Sequence, residues 1–210
     1  NEQTDAYLRI TVSRGAGEIG LDPGLCPRAT VVIMAKPLHP SPPVLSRDGV
    51  SLTVANTRRN LPEALSPQIK STNFLNNILA KRESIAAGTF DSLFLNWKDE
   101  LTECTVSNLF FISGKTLHTP ALDCGILDGI TRTIVMTLAE EEGVRVREGH
   151  YHLADLQRAE ECFLTNTSME IMPVNRVDSF AIGDGRPGSL TRRLQTRFAD
   201  SRTRFLEPPS

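Results

Sequence analysis

The 210 residues contain no Cys-x-x-Cys pair, no apolar run of membrane-spanning length and only five lysines. Cys26, Cys104, Cys124 and Cys162 are widely spread with no paired spacing, which argues against a zinc site or a disulfide framework and makes the reduced thiols of a cytoplasmic protein the expectation. Without a long apolar run there is no candidate bilayer-spanning helix, and no basic-then-apolar leader opens the chain. A net charge of −2 argues against a nucleic-acid or anionic-membrane partner. His150 and His152 put two imidazoles on one strand face, but no carboxylate or thiol stands at ligand spacing, so no metal is expected. The chain lacks an initiator Met and opens on Asn1-Glu2-Gln3-Thr4 just before a strand, and is expected to be a piece of something longer.

What is present alternates early. Tyr7 to Arg14 reads as a strand. Gly15-Ala16-Gly17-Glu18-Ile19-Gly20 matches a dinucleotide-binding fingerprint in letters, but Pro23 and Pro27 forbid the helix that must follow. A flexible loop between strands is expected instead. Ala29 to Ala35 is an unbroken apolar run and reads as a buried strand. Four prolines between Lys36 and Pro43 mark a linker. We therefore expect a first unit over 1–37, a linker over 38–48 and a larger domain over 49–210.

In that larger part, Val50–Ala55 reads as a strand, and Leu75, Ile78 and Leu79 mark a core-facing helix ending at Gly88. Two hairpins turn on Lys98-Asp99-Glu100 and Gly114-Lys115. A helix runs from Ile130 to Glu142, a short strand over Val144–Arg147, a buried strand over Cys162–Asn166, a strand over Arg176–Ile182 and a last helix over Ser189–Ala199. Strands and helices without regular alternation give an α+β class.

Four spots carry candidate chemistry. Lys70 follows an apolar Ile and precedes the amphipathic helix, where an amine loses hydration and becomes a nucleophile, although a solvated surface lysine fits the same letters. Glu103, if buried, needs a cationic partner; otherwise it is a solvated strand end. Gly129, with the Ile130 and Thr131 amides and the Thr131 hydroxyl, forms either a phosphate site at a helix start or an ordinary helix capped by Asp128. Thr167-Ser168 offers hydroxyls and turn amides to an anion, or is a plain turn. Together they supply an amine, a phosphate cradle, a carboxylate for a pyridinium and a carboxylate-binding turn, the parts that pyridoxal phosphate needs.

With Ile-Lys-Ser-x-Asn at Lys70, Thr-Glu-x-x-x-Ser-Asn-Leu-Phe at Glu103, Gly-Ile-Leu-x-Gly-Ile-Thr-Arg at Gly129 and Thr-Asn-Thr-Ser-x-Glu-Ile-x-Pro-Val at Thr167, the chain resembles the class IV, fold-type IV pyridoxal-phosphate aminotransferases. The resemblance runs from Tyr7 onward and is nearest to the branched-chain enzymes. It implies pyridoxal 5′-phosphate as cofactor, with Lys70 forming the Schiff base and moving the proton between Cα and C4′. It implies that Glu103 pairs with the ring nitrogen and that Leu127 packs on the ring. The phosphate goes to Gly129, Ile130, Thr131 and Thr167, and the substrate carboxylate to the Thr167 and Ser168 amides.

Tyr7-x-Arg9 is similar to the branched-chain pattern, with the tyrosine on the substrate carboxylate. The loop tip from Ile19 to Leu21 would wall an aliphatic side chain in the neighbouring subunit of a homodimer or larger oligomer. Phe74 stands where many relatives carry a tyrosine for the ring oxygen, and family members begin well before this chain does. The expected reaction is amino transfer between an amino acid and a 2-oxo acid. The alternatives are a β-eliminating aminodeoxychorismate lyase, whose Arg-Gly-x-Gly loop this chain shares, and a truncated, silent family member.

Overall fold

The structure, a computed structural model, describes residues 5–204. It separates into two compact units after Pro40, inside the segment expected as linker.

In the first unit, β1 (Ala6–Ser13) and β2 (Thr30–Pro37) form an antiparallel ribbon with Ala6 opposite Pro37 and Ser13 opposite Thr30. The connecting loop is folded by its own polar groups. The Arg14 guanidinium donates to the Gly20 carbonyl at 3.1 Å, and the Gly24 amide donates to Asp22 Oδ1 at 2.8 Å. The glycines serve packing: a Cβ on Gly15 would stand 1.9 Å from the Arg28 carbonyl oxygen, and one on Gly17 1.9 Å from that of Leu25. The apolar run of β2 is exposed rather than buried, with Val31, Val32 and Ile33 more than half accessible. An isolated two-stranded ribbon has no second layer to cover either face.

The second unit begins with a helix where a linker was expected. Pro42 and Pro43 start α1 (Pro43–Asp48), because proline is pre-set for a first helical turn, and Leu45 packs on the core. There follow β3 (Val50–Val54), α2 (Leu75–Ala87), β4 (Asp91–Leu95), β5 (Leu101–Cys104), β6 (Asn108–Ser113) and β7 (Thr116–Pro120). The chain continues through α3 (Ile130–Glu141), β8 (Arg145–Gly149), α4 (Leu153–Gln157), β9 (Glu161–Asn166), β10 (Glu170–Val177), β11 (Phe180–Ala181) and α5 (Ser189–Asp200).

Six of these strands close on themselves. β10 pairs with β3, β3 with β4, β4 with β5, β5 with β6, β6 with β9, and β9 with β10 again. The ring has no open edge, which removes the unpaired row that an open sheet leaves. Side chains alternate across it. Leu93, Leu95, Leu109, Phe111, Cys162, Leu164, Met172 and Val174 share one cluster. Their neighbours Phe110, Ile112, Phe163 and Ile171 pack with Val135, Leu138 and Leu194 of α3 and α5 in another. Both faces are therefore buried, which is why β6 and β9 read as largely apolar runs.

Two expectations about elements are corrected. β10 spans Glu170–Val177 and ends before a turn at Asp178, where a single strand over Arg176–Ile182 was expected; Pro173 inside the apolar stretch argues against a strand, yet β10 holds it. The apolar positions of α2 are not core-facing: Ala80 and Ser84 are buried, whereas Leu75, Ile78 and Leu79 are exposed.

Candidate active site

Glu103 occupies the end of β5, opposite Asn108 at the start of β6. It is 5% exposed, and polar groups hold both of its oxygens. The Arg59 guanidinium donates to Oε1 at 2.5 Å, and the Leu127 amide and Asn108 Nδ2 each donate to Oε2 at 3.0 Å. Burial pushes its carboxyl up from an ordinary 4.5 to about 7, against the pull of Arg59, the Leu127 amide and the Lys70 ammonium. A carboxylate offers about four acceptor positions. Three are taken, leaving one for a further donor.

Arg59 is the residue that sequence reasoning missed. It sits in a polar loop 44 residues from Glu103, and nothing local marks it for burial. It is 9% exposed, also donates through Nε to the Gly125 carbonyl at 3.2 Å, and lies 5.2 Å from the Phe94 ring centre. The signal that could have found it is the need of a buried glutamate for a cation.

The segment from Gly125 to Gly129 is stitched to this pair. Arg59 holds its first carbonyl, Asn108 Nδ2 holds the Leu127 carbonyl at 2.8 Å, and Glu103 accepts the Leu127 amide. Gly129 is the N-cap of α3 and gives no side-chain cap; Asp128, expected as a possible cap, pairs instead with Arg132 at 3.6 Å. The first-turn amides of α3 therefore lack an intrahelical partner. Thr131 is buried beside them, and Ile130 is exposed. A Cβ on Gly129 would lie 2.1 Å from Asn108 Oδ1. Gly129→Ala is expected to cost about 1–3 kcal/mol by overpacking. Chemical denaturation checks this: an unchanged midpoint would show that Asn108 can move aside.

Two buried hydroxyls next to this segment, Ser107 Oγ and Thr165 Oγ1, have no hydrogen-bond partner among the described residues. They flank Asn108, since Thr165 stands opposite it across β6 and β9. The Thr167-Ser168 turn lies beside the β5–β6 turn, held by Asn166 Nδ2 donating to the Val106 carbonyl at 3.2 Å. Within that turn the Ser168 amide already donates to Asn166 Oδ1 at 3.0 Å. This internal bond competes with the expected role of Ser168 toward a substrate.

Lys70 lies in the tight turns ahead of α2 and is exposed, not desolvated by a core. Its charge nevertheless acts on Glu103, so the two occupy one neighbourhood. The other lysine near α2, Lys81, is committed to the Phe90 carbonyl and Asp91. Phe74 is the N-cap of α2 and is partly exposed. Tyr7, Arg9, Ile19 and Leu21 belong to the first unit, where all four are exposed.

His150 and His152 do not act together. His152 caps α4 and bonds the Asp99 carbonyl, whereas His150 meets the carboxylates and thiol that its sequence neighbours lack: Glu100 at 3.1 Å and Cys124 at 3.5 Å. No carboxylate or thiol stands at ligand spacing in the sequence, and folding brings Glu100 and Cys124 to His150 from distant segments.

A Methanocaldococcus jannaschii protein carrying the name branched-chain-amino-acid aminotransferase is 39% identical over 205 residues, 98% of this chain and 70% of that protein. Aminodeoxychorismate lyase of Bacillus subtilis is 33% identical over 191 residues, 91% of this chain and 64% of that protein. The branched-chain amino acid aminotransferase of T.th., solved with pyridoxamine 5′-phosphate, superposes with a TM-score of 0.89 at 28% identity, covering 93% of this chain and 65% of that one. The chain thus spans about two thirds of the length of these relatives. It has their fold-type IV architecture, and residues 1–177 match the amino-transferase class IV family. The chain belongs to the class IV aminotransferases.

Proposed function

We propose that this chain binds pyridoxal 5′-phosphate and serves a transaminase that moves an amino group between an aliphatic amino acid and a 2-oxo acid. The observation that carries the reading is Glu103: a buried carboxylate with one acceptor position left, within the field of Lys70 and tied to a glycine-led helix start. The residues fit the cofactor. The unpartnered buried hydroxyls and the uncapped α3 amides suit an anion, and Glu103 suits a protonated ring nitrogen.

In this reading Glu103 holds the proton on the ring nitrogen, and Arg59 keeps Glu103 ionised and aimed. Leu127 packs on the ring face. The Gly129 N-cap lets the Ile130 and Thr131 amides and the Thr131 hydroxyl meet the phosphate, with the Thr167 hydroxyl beside them. When bound, the cofactor supplies an electron sink for charge at the substrate Cα. Lys70 Nζ is the covalent anchor and the group that takes and returns the Cα proton. The Thr167 amide receives the substrate carboxylate; for the first unit the resemblance implies Tyr7 and Arg9 for a substrate carboxylate, and Ile19 and Leu21 for an aliphatic side chain in a neighbouring subunit. Ser168 contributes once its amide is shared between Asn166 and the substrate. The exposed apolar tip at Ile19 and Leu21 favours a homodimer or larger assembly.

The shared Arg14-Gly15-x-Gly17 loop and the lyase relative keep elimination as the second reading. Requirement for an acceptor separates the two. With leucine as donor, product beyond one equivalent per site is expected only when 2-oxoglutarate is present. Release of many equivalents of product per site from an amino substrate with no acceptor would establish the lyase.

A further inference from the structure

Three segments far apart in sequence bring a carboxylate, a thiol and an imidazole to one point. Glu100 precedes β5, Cys124 ends the short turn after β7, and His150 follows β8. His150 Nδ1 lies 3.1 Å from Glu100 Oε1 and 3.5 Å from Cys124 Sγ, and the three atoms all fall within 4.8 Å of one another. Bond lengths of about 2.0–2.1 Å to nitrogen, 2.0–2.2 Å to oxygen and 2.3 Å to sulfur give a tetrahedral zinc site edges of about 3.4 Å and 3.6 Å. The observed separations are close to those edges.

The scaffold around them is rigid. Asn96 Nδ2 donates both to Glu100 Oε2 at 2.7 Å and to the Cys124 carbonyl at 3.2 Å. The Ala121 amide bonds the Gly149 carbonyl at 3.0 Å, and the Leu101 amide bonds that of Tyr151 at 2.6 Å. Glu100 and Cys124 are buried, whereas the His150 side chain is half exposed, which gives an ion a path in. On the far side of the ring, Nε2 lies 3.3 Å from Asp123 Oδ2. With the imidazole proton held on Nε2 by that carboxylate, Nδ1 faces Glu100 and Cys124 as an acceptor. Carboxylate–imidazole pairs orient metal-bound histidines in this way. A bare Nδ1 lone pair facing a carboxylate at 3.1 Å needs a proton or a metal cation between them.

We propose that Glu100 Oε1, Cys124 Sγ and His150 Nδ1 are the ligands of a zinc ion, with Asp123 orienting the imidazole and water completing the tetrahedron. One thiolate, one imidazole and one carboxylate form a borderline set that suits zinc. Glu100 and a Cys124 thiolate neutralise the ion, and the thiol releases one proton on binding. Cys124 adjoins Gly125, the residue whose carbonyl Arg59 grips, so the ion would fix one end of the segment that holds Glu103.

The test is zinc chloride added to chelator-treated full chain, followed by metal analysis and zinc-edge X-ray absorption. One zinc per chain is expected, with one sulfur at about 2.3 Å and the remaining ligands nitrogen or oxygen at about 2.0–2.2 Å. Cys124→Ser and His150→Gln are each expected to weaken binding at least about a hundredfold, and the first also removes the sulfur shell. Asp123→Asn should cost about 10–100-fold yet keep the sulfur. His152→Gln should bind as the parent does. No stoichiometric zinc, zinc without a sulfur neighbour, or binding that survives both ligand variants overturns the proposal. The absorption spectrum of the unaltered chain decides the ligand set whether or not a variant folds.

Discussion

Lys70→Ala is expected to lower transamination by about 10⁴-fold while leaving the fold intact. The amine is the proton carrier in the proposed reaction, and a positioned acid–base group contributes up to about that factor. Lys70 is exposed, whereas Lys81 is held by the Phe90 carbonyl and Asp91. Removing an exposed side chain of this kind changes stability by about 0.5 kcal/mol or less. Steady-state rates and a denaturation curve on the same preparation check both halves. A variant that keeps most of its turnover would place the proton transfer on another group. If Lys81→Ala is inactive, the expected loss of its contacts predicts a lowered unfolding midpoint as well.

Arg59→Met is expected to destabilise the protein by about 3–5 kcal/mol, because it leaves Glu103 buried without its cation. Its effect on pH dependence has a definite sign. Glu103 already titrates near 7, above its ordinary 4.5, because burial outweighs the pull of Arg59. Between those values the folded chain binds a proton that the unfolded chain does not, so Glu103 stabilises the fold less as pH rises through 7. The proposed function needs the ionised form, and so runs the other way. Removing Arg59 removes a pull that lowers the titration point, and the acid limb of the rate profile should move to higher pH. Arg59→Lys, which restores a charge without the two-pronged grip on Glu103 and Gly125, should recover part of that shift. An unmoved acid limb in Arg59→Met would separate Arg59 from the tuning of Glu103.

What the sequence shows of this molecule depends on how locally each feature is encoded. The strands over Cys162–Asn166 and Asn108–Ser113 are legible because both their faces are covered and their runs are largely apolar. The same reasoning fails for β2, whose equally apolar run lies exposed on a ribbon; composition reports what a strand is able to bury, not what covers it. Pro173 hides β10 for a different reason. A proline is a general argument against a strand, and only the pairings along β10 show that the strand continues through it.

The site divides along the same line. Gly129, Ile130 and Thr131 are contiguous, and their role at a helix start follows from their order. Lys70 and Glu103 are singled out by one motif apiece. Arg59 has no motif and becomes significant only when folding sets it against a buried carboxylate. Glu100, Cys124 and His150 are likewise invisible as a group until three separate turns meet. Asn166 is a smaller instance: its carbonyl oxygen takes up the Ser168 amide that the letters offer to a ligand.

The central claim is that Lys70 is the attachment point, and one measurement addresses it directly. The protein loaded with pyridoxal phosphate is reduced with borohydride, digested, and its peptides mapped by mass. The account predicts a single cofactor-bearing peptide with the modification on Lys70. A label on Lys36, Lys81, Lys98 or Lys115, or no label at all on protein that has retained its fold, would contradict it.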